Sequence, residues 1–269
     1  MVKLHDDILI CAQGNGFISV EALTGIYQAF EEYDLVPGFA QASSGSAIFT
    51  SLYYSGHDSC WFRELMDNTS LKDWIVLDPI ESMKSIAGCG NYFLDSKKIH
   101  KLLQDEMTIE ATHRVKVSVT DAKTGRGMKL PATPATVGMA SAFPIALVPV
   151  KAHGIVGKDG GIVNNIPLPK VRDVANYRYV FLFTGEPWKP TDSNFNLVQA
   201  VDLIGQLRTQ EMNQIIQAGY FDEPNFIHFE LASELSAGLF NWSKNYELRE
   251  AAYQLAKQII IDKHLTGEC

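Results

Sequence analysis

The sequence of 269 residues predicts an α/β fold of three layers, with helices on both faces of a central and mostly parallel sheet. Two observations carry this expectation. The first 56 residues alternate strand, glycine turn, helix, strand, serine turn, helix, and strands separated by crossover helices pair in parallel. Further on, YRYVFLFT (177–184) is a strand rich in aromatic and β-branched residues. No repeat, low-complexity tract or linker interrupts the chain, so one domain over 1–269 is the simplest organisation.

Taken in order, DILICA (7–12) is a short apolar run closed by the turn Gln13-Gly14-Asn15-Gly16. Val20, Leu23, Ile26, Tyr27 and Phe30 then recur at helical spacing, which predicts a helix from Ser19 to Tyr33 that closes at Asp34. Leu35 to Ala42, broken by Pro37-Gly38, is the second strand. It leads through Ser43-Ser44-Gly45-Ser46 into a second helical pattern that stops at Gly56. Residues 57–110 read as mostly helical. RVKVSVTD (114–121) alternates and is followed by Lys123-Thr124-Gly125-Arg126-Gly127, the signal of a hairpin rather than of a phosphate loop. ATVGMASA (135–142) is helical until Pro144, and the segments at about 195–218, 230–240 and 245–262 also read as helices.

Charge excludes one class. With 23 basic and 31 acidic side chains the net charge is −8, which opposes a nucleic-acid partner because phosphate neutralisation needs a basic face. No apolar run reaches the length of a membrane span, and the N-terminus lacks the pattern of a signal peptide. Cys11, Cys60, Cys89 and Cys269 are sparse, with no CxxC pair, as expected of reduced thiols in a cytoplasmic protein; the sequons at Asn68 and Asn241 are then chance matches. None of the seven histidines has metal-ligand spacing, so neither a metal nor another cofactor is expected. The aromatic residues Phe17, Trp61, Phe62 and Trp74 are either core or a lip that touches lipid, with core the expected role.

Two segments bear chemistry. A nucleophilic serine between strand and helix needs small residues two positions before and after it, because the strained turn brings them together; Ala42 and Ser46 stand at those offsets from Ser44. A helix cap is the other reading of the same serines. The second segment is Asp159-Gly160-Gly161, followed by Val163-Asn164-Asn165-Ile166-Pro167, which in isolation is a turn.

Together these segments resemble the patatin-like phospholipases, whose chemistry is a Ser-Asp dyad without histidine. ATVGMASAFPIALVPVKAHGIVGKDGGIVNNIPL (135–168) resembles the tail motif of that family, a small-residue helix, a proline and D-G-G/A-x-x-x-N-x-P. GIYQAFEEYDLVPGFAQASSGSAIFTSLYYSG (25–56) runs alongside its helix, strand, nucleophile turn and helix, in the register that places the nucleophile at Ser44 and not Ser43. VSVTDAKTG (117–125) resembles the strand and turn between the two motifs, and the likeness covers most of 8–185. Three features depart from the pattern. The glycine loop is Gln13-Gly14-Asn15-Gly16-Phe17-Ile18-Ser19, with an extra residue and no basic side chain, and Ala42 and Ser46 replace glycines.

The resemblance implies a lipid acyl hydrolase of the phospholipase A type. Ser44 would be the nucleophile and Asp159 a partly desolvated base, with an oxyanion hole at Gly14, Asn15 and Gly16 and support from Gly45, Gly160, Gly161 and Asn164. Asn164 and Asn165 are expected to tie down the Asp159 turn through side-chain to backbone hydrogen bonds. The substrate would be a phospholipid or another acyl ester, with peripheral membrane contact and an activating protein partner among the implied possibilities. Three alternatives stay open: an acyltransferase with the same dyad, a catalytically weak lipid-binding member, and a Ser-His-Asp triad that recruits His228 or His264.

Overall fold

The computed structural model describes residues 2–74, 76–77, 94–142, 150–185, 210–231 and 245–265. Its strands are β1 (His5–Ala12), β2 (Pro37–Ala42), the short ribbon β3 (Val76–Leu77) and β4 (Leu94–Asp95), β5 (Val115–Asp121), β6 (Gly127–Pro131), β7 (Val150–Ala152), β8 (Ile155–Asp159), β9 (Tyr179–Gly185) and β10 (Phe226–Leu231). The helices are α1 (Gly16–Glu32), α2 (Ser44–Tyr53), α3 (Ser59–Asp67), α4 (Lys97–Glu106), α5 (Ile109–Arg114), α6 (Pro134–Ala140) and α7 (Asn245–Asp262), with a single helical turn at Leu71–Trp74 and a further helical stretch at 210–217. Eight strands form one mixed sheet in the order β10-β9-β1-β2-β5-β8-β7, with β6 also paired to β5. From β10 to β5 the neighbours are parallel, whereas β6, β8 and β7 are antiparallel additions.

Alternate residues of the central strands enter two separate cores, which produces the three layers. Ile8, Ile10 and Ala12 of β1 and Phe181 and Phe183 of β9 pack with α1, α2 and α7 on one face. Leu9, Cys11, Val180 and Leu182 pack with Val174, Ile215 and Phe226 on the other. A strand buried on both faces has no polar side to show, so DILICA and YVFLF read as continuous apolar runs.

Helix α1 is enclosed by the sheet, α2, α3 and α7, and this burial extends to a carboxylate. Glu21 is buried and pairs with Arg249 of α7 at 3.4 Å, and the same guanidinium reaches Asp67 of α3 at 2.9 Å. Burial pushes the Glu21 carboxyl up to about 7 despite the pull of Arg249. The folded chain therefore holds a proton at Glu21 that the unfolded chain has lost between pH 4.5 and 7, and this contribution to stability declines as pH rises through that window. Urea unfolding of Glu21→Gln and wild type should show the wild type losing on the order of a few kcal/mol relative to the variant between those pH values.

The pairing of β5 sets up the functional end of the sheet. Val119 and Thr120 pair with β6 on one edge of β5 and with Asp159 and Lys158 of β8 on the other. Parallel β2 occupies the lower part of that second edge, with Ala42 opposite Val117. Strand β2 rises and antiparallel β8 descends along one edge of β5, and their carboxyl ends meet two residues apart, about 7 Å.

Several expectations need correction. Helix α1 begins at Gly16, not Ser19, so the end of the glycine turn is already helical. Residues 226–231 form strand β10, so the helix expected over 230–240 does not hold at 230–231, and 232–240 lie outside the described residues. Of the helix expected over 195–218, only the part from 210 onward is described. Pro144 likewise lies outside, as do Cys89, Asn241 and Cys269. Phe62 and Trp74 are buried in the larger core, where Trp74 meets Phe17 edge-on with ring centroids 5.7 Å apart; Trp61 packs against that core partly buried. Cys11 and Cys60 are free thiols. Among the described residues no helix is long and apolar enough to cross a membrane.

Candidate active site

Ser44 opens α2 with φ of +50°, in the left-handed region that a serine enters only under strain. Ser43 before it is extended and fully buried, and its hydroxyl has no hydrogen-bond partner among the described residues. The reversal of the chain at Ser44 turns its side chain toward β8. Its hydroxyl donates to Asp159 Oδ2 at 2.7 Å, bridging 115 residues of sequence. Asp159 is 2% exposed while Ser44 stays partly open to solvent.

The carboxylate is held from several sides. Gly161 N–H donates to Asp159 Oδ1 at 2.7 Å, leaving Oδ2 directed at Ser44. The main chain of Asp159 is fixed by its own N–H on Ala142 O and by the Thr120 hydroxyl on its carbonyl. Asp-Gly-Gly thus ends β8 and begins a short 3-10 turn, Gly160–Ile162. The turn is closed by main-chain N–H groups of Val163 and Asn164 on Gly160 O, which revises the roles expected of the two asparagines. Asn164 reaches Ser118 Oγ at 3.1 Å, and Asn165 contributes its main-chain carbonyl, which accepts from Gly14 N–H at 3.3 Å.

That last bond changes the part expected of Gly14. The peptide between Gln13 and Gly14 is occupied at both ends. Its N–H lies on Asn165, and its carbonyl accepts from the hydroxyls of Ser46 at 2.5 Å and Ser19 at 3.3 Å. Gln13 itself is buried and accepts Gly185 N–H through its side chain at 2.9 Å. Ser46 therefore braces the glycine loop from the position where the resembled family has glycine, and Gln13 anchors the loop to β9 without a cation. These braces escaped the sequence reading; the only signal for them was a cluster of small hydroxyl residues, Ser19, Ser43 and Ser46, spaced around the glycines.

Gly14 and Gly45 are needed as close approaches. A β-carbon on Gly14 would stand 2.6 Å from Ser44 Cβ, and one on Gly45 would stand 1.8 Å from Gly16 O. The amino ends of α1 and α2 consequently abut beside Ser44. Neither the Asn15 nor the Ser43 side chain caps its helix, so the first-turn amides, Gly16 and Gly45 among them, receive no cap from the preceding side chain. A pocket lined by Gly161, Ile162, Asn165, Glu211 and Gln214 opens beside this turn.

The histidines lie elsewhere. His228 on β10 is three strands from β2, about 14 Å, and pairs with the Thr184 hydroxyl at 2.6 Å. Burial lowers its pKa to about 4. His264 is exposed past the end of α7. The structure brings neither to Ser44. Replacing His228 by alanine should leave ester turnover within about threefold of wild type, whereas a triad through His228 requires a loss of 10³ or more in kcat/KM. His153, with φ of +50°, and Gly154 form the two-residue turn between β7 and β8.

No protein-family model matches the sequence, and no curated protein matches it significantly. Among solved structures the chain is similar to VipD from Legionella pneumophila at 13% identity and a TM-score of 0.49, covering 96% of this chain and 67% of VipD. It is also similar to the type III effector protein ExoU at 14% identity and a TM-score of 0.45, covering 97% of this chain and 53% of ExoU. Human GIVD cytosolic phospholipase A2, solved with methyl gamma-linolenyl fluorophosphonate, is similar at 12% identity and a TM-score of 0.37, covering 95% of this chain and 57% of that one. The chain thus spans little more than half the length of the last two.

Proposed function

We propose that the protein is a serine acyl hydrolase that cleaves the fatty-acyl esters of phospholipids or related lipids through a Ser44–Asp159 dyad. The observation that carries the reading is the 2.7 Å hydrogen bond from a strained, accessible serine to a buried carboxylate, with no histidine bonded to that serine. The lipid class comes from the resemblance of residues 25–56 and 135–168 to patatin-like phospholipases.

In this mechanism Asp159 accepts the Ser44 proton as Oγ attacks the ester carbonyl carbon. The negative charge that forms on the carbonyl oxygen faces the convergent amino ends of α1 and α2. Gly16 and Gly45 N–H are the donors assigned there, since Gly14 N–H is already on Asn165. When the tetrahedral adduct collapses, the C–O bond to the leaving alcohol breaks, and Asp159 returns its proton to that alcohol. A water molecule deprotonated by Asp159 then attacks the acyl-serine, releasing fatty acid and restoring the Ser44 hydroxyl. Throughout, Gly161 N–H on Oδ1 keeps the carboxylate from rotating.

The test is product analysis after incubation with phosphatidylcholine in mixed micelles. Free fatty acid and lysophospholipid in equal amounts are expected. Acyl chains recovered on an added alcohol or second lipid, with little free acid, indicate transfer; no acyl release by folded protein contradicts the reading.

A further inference from the structure

We infer that the β5–β6 hairpin and the turn after Asp159 form a docking surface for an anionic lipid bilayer, at the end of the sheet where Ser44 is partly exposed. Three observations meet there. The first is charge. Residues 115–163 carry five lysines and one arginine against two aspartates, a net +4 within a chain of −8, so the rest of the protein carries −12. Asp159 is buried, whereas Asp121 is half-exposed at the hairpin and offsets part of the charge of Lys123. Asp159 takes the Ser44 hydroxyl, and Asp121 accepts from Lys123 N–H at 3.0 Å and from the Thr124 hydroxyl at 2.8 Å within the hairpin. Lys123 and Arg126, at the exposed tip, form no ion pair with a described carboxylate.

The second observation is position. Strand β5 continues four residues beyond Val117, the partner of Ala42, so the hairpin projects about 13 Å past the carboxyl end of β2, on the side of the sheet where Ser44 sits. The third is an apolar pair. Ile162 and Val163 are 37% and 50% exposed, directly after the Asp-Gly-Gly turn. Val163 lies against the hairpin, its Cγ1 3.1 Å from where a β-carbon on Gly127 would be. Two exposed cations beside two exposed aliphatic side chains suit a surface that offers negative head groups above a hydrocarbon layer, and a protein of net −8 is repelled from such a surface everywhere except through a basic face.

The inference rests on the dyad reading for the purpose of docking, but binding is measured apart from turnover. The 269-residue chain carrying Ser44→Ala is sedimented with vesicles of pure phosphatidylcholine and with vesicles in which roughly a third is replaced by phosphatidylglycerol. Binding is expected on the anionic vesicles only, weakening as salt rises. Adding Lys123→Glu and Arg126→Glu should lower the partition coefficient on the order of 25-fold, about fivefold for each basic residue lost from the surface. Adding Ile162→Ser and Val163→Ser instead should lower it on the order of tenfold. These side chains are exposed, and an unchanged thermal melt checks that the variants remain folded. Equal binding to both vesicles, binding indifferent to the charge reversal, or no binding to either overturns the inference. Vesicle binding by a wild type that cleaves no ester overturns the proposed activity and leaves the docking surface standing.

Discussion

Turnover of a soluble fatty-acyl ester by Ser44→Ala is expected to fall by about 10³–10⁶ in kcat, with Asp159→Asn close behind and the double variant no worse than either. The reason is that the two groups act as one unit. Among the described residues Asp159 is the only proton acceptor bonded to the Ser44 hydroxyl, at 2.7 Å, and an asparagine there keeps the shape but offers no site for the proton. Asp159→Asn also retains an oxygen for Gly161 N–H, which now lies at 2.7 Å, so the turn should persist and the loss be one of chemistry. Thermal melts of both variants within a few degrees of wild type, together with parallel kinetics, check the account. Additive losses would show that the residues act separately.

Gly45→Ala should lower stability and activity together. Its added methyl would stand 1.8 Å from Gly16 O, a main-chain atom with no soft neighbour to give way, so the amino ends of α1 and α2 must separate. Overpacking of main chain against main chain costs on the order of 2–4 kcal/mol, or several degrees in Tm for a chain of this size. Separation also spoils the assigned oxyanion donors, and the loss of one such donor costs about 10²–10³ in kcat. A melt combined with kcat/KM at a temperature where the variant is folded reads both effects. An alanine variant as active and stable as wild type would remove Gly16 and Gly45 from the assigned oxyanion site.

The first 56 residues were legible because each element there carries its own local signal. DILICA has no polar alternation, α1 repeats at helical spacing, and small residues surround Ser44. The meeting of Ser44 with the Asp-Gly-Gly turn was legible only through resemblance, since it depends on β2 and β8 sharing one edge of β5, a non-local arrangement that neither strand encodes alone. The start of α1 was placed late because the periodic apolar set begins only at Val20, whereas Gly16 to Ser19 are already helical and the Ser19 hydroxyl turns back to Gln13 O from inside the helix. Strand β10 was missed because FIHFEL makes its ladder, among the described residues, with β9, more than forty residues away, and shows no clean alternation. The occupation of Gly14 N–H by Asn165 was invisible for a similar reason: a glycine loop reveals its freedom to turn, but not which of its amides the rest of the fold consumes.

The most direct measurement is labelling with a fluorophosphonate probe, which phosphonylates activated serines, with the modified residue located by peptide mass spectrometry in wild type and in Asp159→Asn. The account predicts label on Ser44 in wild type and its loss in Asp159→Asn. Label on Ser43, label on Ser44 that survives Asp159→Asn, or no label on folded wild-type protein would contradict it.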